Sequence, residues 1–312
     1  MSQPQGSAQQ QLKLNKGIVK QVLSGDTVVI RGQPKGGPPP EKTLGLTNIT
    51  AAKLGRRANP SNNVTETKDE PFAWEAREFL RKLLVGQDVQ FAVEYKVDSG
   101  REYGTVWVSL PGSAEPQNVS ELLVSEGLVQ VRQGNARPSE EYQKLVQLEA
   151  QAKASNKGRW KKDADQMVLR EVIWNVENLR NLVDRNQGKE VDAIVEYVRD
   201  GCTLKVVLIP SFQHITVALS GIKCPMFKRE GGKEVAEPFA DLAKFFTESR
   251  LLQREVKILM EGHSNNQSVL GTITHPVANI AELLLREGLA RCVDWSMGVV
   301  TSGKEKLRAA EK

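Results

Sequence analysis

The alternation of apolar and polar positions along this chain appears once and then returns. Residues 16–23 and 27–31 alternate around Ser24-Gly25-Asp26, which predicts a hairpin with one buried face. Residues 44–49 predict a third strand. At 74–84 the period changes: Trp74, Phe79, Leu80, Leu83 and Leu84 fall near helical spacing. Strand alternation resumes at 89–95 and 105–110. A short helix is predicted at 118–126, stopped by Gly127 in a left-handed cap. A second amphipathic helix is predicted at 138–155. The same order follows later, with strands at 190–198, 204–208, 215–221, 255–261 and 269–274, and helices at 238–252, 280–287 and 304–311. Five strands with a helix after the third is the order of an OB-type barrel. The predicted class is mainly β with added helices, as two barrels in tandem.

Short motifs repeat in the same order as the elements. Gly25-Asp26-Thr27 returns as Gly201-Cys202-Thr203, and Glu70-Pro71-Phe72-Ala73 as Glu237-Pro238-Phe239-Ala240. Tyr103-Gly104-Thr105 returns as Leu270-Gly271-Thr272, and the run from Glu121 to Leu128 as that from Glu282 to Leu289. An ordered series of this kind marks a duplication. The first copy carries longer inserts, a Gly/Pro loop at 33–40 and a polar stretch at 56–69. The predicted division is a disordered tail at 1–15, a first repeat at 16–160, a junction at 161–188 and a second repeat at 189–312. Residues 1–12 are Gln- and Ser-rich, a composition that does not bury a core.

Composition narrows the partners. Lys and Arg number 43 against 38 acids, a net charge of +5, which suits an acidic partner such as nucleic acid. The three cysteines, Cys202, Cys224 and Cys292, form no CxxC or Cys/His cluster, which argues against a zinc site or a disulfide framework. No apolar run reaches the ~18–20 residues of a membrane span. The start of the chain lacks the apolar core of a signal peptide. Cytoplasmic and nuclear localisation, with no membrane partner, is the resulting expectation.

Several unbroken runs carry a resemblance: GQPKGGPPPE, REYGT, EPFADLAKFFTESRLLQREV, LSGIKCP, LREGLARCVDWS and KLRAAEK. They resemble the amino-terminal half of the Tudor staphylococcal nuclease family, over nearly the whole chain from about Lys16. The resemblance implies two staphylococcal-nuclease-like repeats out of a longer array, with the tudor domain outside this chain. It also implies a scaffold acting in RNA silencing (RISC), RNA processing and transcriptional coactivation, with RISC or spliceosome-type complexes reached through the full-length protein. The alternative it implies is a calcium-dependent endoribonuclease that degrades small or edited RNA.

A nuclease of this type holds calcium with carboxylates, activates water with a glutamate and meets the growing phosphoryl charge with two arginines. Calcium wants several oxygen ligands, and an anionic transition state wants forked guanidinium donors. Carried onto the first copy, the resemblance keeps one acid as Asp26. The third-strand arginine falls near Thr43, the next acid on Asn48, the glutamate on Ala51 and the second arginine on Thr105. In the second copy Asp200 stays in the turn. The other positions fall on Cys202, Ala218, Lys223, Met226 and Thr272. Only Asp26 and Asp200 remain as residual acids, so no catalytic set and no cofactor are expected, with calcium returning only if the nuclease alternative holds. Asp26 reads as a turn residue capping local amides.

Basic residues that fit an RNA backbone cluster at Arg56 and Arg57, at Lys157, Lys161 and Lys162, and at Lys223, Lys228 and Arg229. Only 5% of the chain is aromatic, which predicts no dense stacking platform, and the five tryptophans are expected in cores or interfaces. His214, His263 and His275 lack ligand spacing. A protein partner is also expected. Pro38, Pro39 and Pro40 form a stiff segment, and one helix offers Phe245 or Phe246 with Arg250 and Arg254. An apolar floor rimmed by arginines grips an aromatic anchor, and the resemblance implies a tryptophan-bearing partner peptide in a groove between the barrels.

Overall fold

The computed structural model describes residues 13–133, 139–164, 167 and 169–312. They divide into two compact units. One comprises the described residues of 13–33, 40–53 and 71–167, and the other those of 34–39, 54–70 and 169–312. Residues 1–12 of the predicted tail and Pro138 lie outside the described residues.

In the first unit, strands β1 (Leu14–Ser24), β2 (Thr27–Arg31) and β3 (Glu41–Leu46) form an antiparallel meander. The short β4 (Ile49–Thr50) follows, then helix α1 (Ala73–Leu84), β5 (Asp88–Lys96) and β6 (Glu102–Val108). β5 pairs with β1, and β6 lies parallel to β3 through Leu44↔Glu102 and Leu46↔Gly104, which closes the barrel. β7 (Gln117–Asn118), α2 (Val119–Ser125), β8 (Gln130–Val131) and α3 (Glu140–Ala154) complete the unit. Alternation places Val19, Val22, Val28, Ile30, Leu44, Leu46, Phe91 and Val106 inside, against Leu80 and Leu84 of α1.

The second unit adds a helix that the sequence reading missed, α4 (Leu179–Arg185), before β9 (Glu190–Asp200), β10 (Thr203–Leu208) and β11 (His214–Leu219). β12 (Ile222–Lys223), an unpredicted charged hairpin β13 (Phe227–Glu230) and β14 (Lys233–Ala236), and α5 (Ala240–Leu251) come next. Then follow β15 (Glu255–His263), β16 (Val269–Thr274), α6 (Ile280–Arg286), β17 (Arg291–Cys292), α7 (Asp294–Met297) and α8 (Lys304–Glu311). The barrel closes in the order β10-β11-β16-β15-β9, again by a parallel pair, β11 with β16. Leu54–Glu70, which contains the polar stretch 56–69 expected as an insert of the first copy, belongs to this unit. Asp69, buried, takes the Arg170 guanidinium at 2.5 and 3.2 Å and the Gly55 amide at 2.6 Å.

The duplication extends to backbone detail. Phe72 and Phe239 both hold left-handed conformations at the amino ends of α1 and α5. Asn118 and Asn279 cap α2 and α6 through the amides of Ser120 and Ala281. No helix among the described residues is long and apolar enough to cross a membrane.

Candidate functional site

Each barrel carries an acid at the β1–β2 or β9–β10 turn, and local bonds already use it. Asp26 Oδ1 accepts the hydroxyls of Ser24 (2.6 Å) and Thr27 (3.2 Å), and Oδ2 accepts the Ala51 amide at 3.0 Å. Asp200, 2% exposed, accepts the Cys202 amide at 3.0 Å and Arg199 Nε at 3.2 Å. Both behave as turn-forming carboxylates.

The last barrel strand of each copy, β6 and β16, shows the same substitution. Thr105 donates to Glu94 of β5 at 2.6 Å, and Thr272 donates to Glu261 of β15 at 3.2 Å. Neutral hydroxyls on carboxylates now stand where the resemblance places a phosphate-facing arginine.

The third strand requires a correction. Thr27 pairs with Gly45 and Thr203 with Ala218, so the counterpart of Ala218 is Gly45, not Thr43. Asn48 and Gly221 share the left-handed conformation after that strand, and Ile49 and Ile222 each begin the next short strand. Lys223 therefore corresponds to Thr50 rather than Asn48, and Met226 to Lys53 rather than Ala51. A separate observation agrees. A Cβ on Gly25 would meet Ala76 and Ala51, while one on Gly201 would meet Ala243 and Cys224, so Ala51 matches Cys224. The slip of two residues arose because apolar alternation runs on past Leu46, while the backbone turns at Asn48. The corrected positions supply neither acid nor arginine, and the Tyr103 ring lies 2.7 Å from where a Gly45 Cβ would stand.

The staphylococcal nuclease homologue family matches residues 44–162 and 216–312, a part of each barrel that together makes up more than half of the chain. The chain belongs to the staphylococcal nuclease family. Staphylococcal nuclease domain-containing protein 1 of Drosophila melanogaster is 51% identical over 301 residues, 95% of this chain and 32% of its own length. Ribonuclease TUDOR 1 of Arabidopsis thaliana is 34% identical over 355 residues, 95% of this chain and 34% of its own length. Staphylococcal nuclease domain-containing protein 1 of Schizosaccharomyces pombe is 31% identical over 292 residues, 89% and 31% of the two chains. The chain spans about a third of the length of these curated relatives.

The calcium of a staphylococcal nuclease does not fit the residues present. Among the described residues no group of three or more His, Cys, Asp or Glu side chains could hold a metal ion. Asp26 has both oxygens engaged, and Lys223 sets a positive charge where the second barrel would need a ligand. Cys224 is no activated nucleophile either. A hydrogen bond with Cys202, and burial, push its thiol far above the ordinary range. Cys292 is pushed up to about 11 by burial and by its hydrogen bond with Glu311. A raised thiol pKa keeps the proton on, so alkylation of Cys292 should rise through an inflection near 11 instead of near 9. Mass-spectrometric rates against pH check this, and an inflection below 9 would contradict it.

The basic clusters resolve differently. Lys157 is paired with Glu126 at 3.1 Å, and Lys161 and Lys162 are exposed. Arg56 is exposed, and Arg57 bonds the Asn175 side chain. Lys228 pairs with Glu237 at 2.7 Å, Arg229 lies opposite Glu234, and Lys223 and Lys228 line one cavity. Of the residues expected to grip a peptide, Phe245 and Phe246 are half-buried, and Arg250 lays its guanidinium 3.5 Å from the Phe246 ring centre. Arg254 is half-buried. Pro38 and Pro39 belong to the second unit and Pro40 to the first.

Two features escaped the sequence reading. Trp295 is not a core residue; it is 70% exposed. A stacked aromatic pair does exist: exposed Tyr95 and half-buried Tyr103 stack at 5.2 Å and 13°, with the Arg132 guanidinium 5.3 Å from Tyr103. A cavity of about 630 Å³ adjoins it, lined by Lys42, Thr43, Arg101 and Tyr103 among others. The register shift between Val93 and Tyr95, a bulge in β5, brings Tyr95 opposite Tyr103. Strict alternation cannot anticipate that.

Proposed function

We propose that this chain is a non-catalytic RNA-binding scaffold module of a longer protein, built from two staphylococcal-nuclease barrels. The Tyr95–Tyr103 stack under Arg132 carries the reading. Aromatic faces with a nearby guanidinium receive unstacked bases of a single strand without demanding a sequence. The threonines at 105 and 272 remove the donors that would stabilise a phosphoryl transition state. Through its full length the protein would work in RNA silencing, RNA processing and transcriptional coactivation, in cytoplasm and nucleus. The name ribonuclease belongs to relatives of which this chain matches a third, and we assign that chemistry to segments outside these two barrels. On the second unit, the Phe246–Arg250 pair is the place for an aromatic anchor of a partner peptide.

Fluorescence anisotropy with a single-stranded RNA oligonucleotide tests the reading. Binding should weaken with salt, with each neutralised phosphate adding about 0.7 to the logarithmic slope. Tyr95→Ala should weaken it about tenfold, since one stacked base contributes ~1–3 kcal/mol. Affinity that ignores both salt and Tyr95→Ala would end the proposal.

A further inference from the structure

A second cavity, of about 500 Å³, opens on the second unit. Its lining includes Lys223, Cys224, Lys228, Glu237, Leu289 and Arg291. Lys223 and Arg291 are direct cross-strand partners on β12 and β17. Like charges directly opposite each other repel and destabilise a strand pair, and neither residue has an ion pair among the described residues. The one carboxylate in the lining, Glu237, is already engaged by Lys228 at 2.7 Å and by the Met226 amide at 2.8 Å. These contacts hold its carboxyl below the ordinary range, so it stays ionised and occupied. Three cations thus face one committed anion.

The first unit supplies an internal comparison. Its equivalent strand pair, β4 with β8, opposes Thr50 to Gln130 in the same register. The fold therefore does not require charge at these positions. The second copy carries two unpaired cations where the first carries two neutral side chains, and one of them, Lys223, occupies the place of a metal-binding acid.

We propose that this cavity is a metal-independent phosphate site, in which Lys223 and Arg291, with Lys228 at the rim, hold one phosphate group of a nucleic-acid strand. The lysine ammonium takes over the charge neutralisation that calcium supplies in a catalytic barrel, and the Arg291 fork supplies paired donors. Nothing in the site activates water, so the phosphate is bound and not cleaved. Only the identity of the ligand rests on the RNA-binding reading; the site itself rests on the register and the charges.

Two titrations of the whole chain, with divalent metals chelated, test it. Inorganic phosphate at constant ionic strength should shift the backbone amides of Lys223 and Arg291 saturably. Lys223→Ser and Arg291→Gln should each weaken that binding roughly tenfold or more, as expected for a lost charged hydrogen bond. Lys223→Arg should retain it, which separates charge from folding. A single-stranded RNA oligonucleotide should lose a similar factor in the two neutral variants. Absence of saturable shifts, or equal phosphate affinity in all variants, overturns the site, even where RNA still binds through the first unit. Phosphate shifts without any RNA binding would retain the site and end the nucleic-acid reading instead.

Discussion

Asp69→Ala is expected to lower the stability of the second unit by about 3–5 kcal/mol. The Asp69 carboxylate is 2% exposed and its partner Arg170 9% exposed, so removing the acid takes the carboxylate from a guanidinium in a place that water barely reaches. The Gly55 amide, bound at 2.6 Å, loses its acceptor as well, and the Phe212 ring, 5.4 Å from the guanidinium, does not replace a carboxylate. Native-state hydrogen exchange in β10 and β15 measures the loss within that unit. Arg170→Ala should cost a comparable amount, and the double variant clearly less than the sum, because the two residues form one interaction. A loss below about 1 kcal/mol would show that the pair is a solvated contact instead.

The second large effect is expected at the glycine of the Tyr-Gly-Thr motif. A Cβ on Gly104 would lie 1.9 Å from the Ala92 carbonyl oxygen and 2.9 Å from its carbon. Both are backbone atoms of the paired strand, so no side-chain rotation relieves the clash and β5 and β6 must part. Gly104→Ala should therefore cost at least about 3 kcal/mol, the upper end of overpacking. Gly271 provides the control in the second copy. Its Cβ would stand 2.7 Å from the Leu259 carbonyl oxygen, a milder contact, and Gly271→Ala should cost about half as much or less. Urea denaturation of both variants gives the comparison, and equal costs would mean that the sheet adapts freely.

The two glycines also show how far the sequence was readable. Recurrence of Gly-Thr at 104–105 and 271–272 marked a duplication, and both copies do place those residues on the strand that closes the barrel. Barrel strands and long helices were legible because periods of two and 3.6 residues survive in an apolar pattern. Short-range geometry was not. The left-handed turn at Asn48 ends β3 while apolar residues continue, which displaced three site positions by two residues. The hairpin at Phe227–Glu230 and Lys233–Ala236 is mostly charged and turns on Gly231-Gly232, so no apolar face announced it. The tie between Asp69 and Arg170 joins residues 101 apart, a separation at which no local pattern speaks. Arg291 was missed for a related reason: its meaning lies in the register that sets it against Lys223. One signal was present, since the repeated run after Gly288 ends on Ala290-Arg291 where the first copy has Val129-Gln130.

In the proposed function both barrels keep the nuclease fold without its chemistry. Incubating this chain with labelled single-stranded RNA, with calcium and with a chelator, addresses it directly. The replaced positions Gly45, Thr50, Lys53 and Thr105, and Ala218, Lys223, Met226 and Thr272, predict bound but intact RNA under both conditions. Cleavage that requires calcium and disappears in Asp26→Ala would contradict the account.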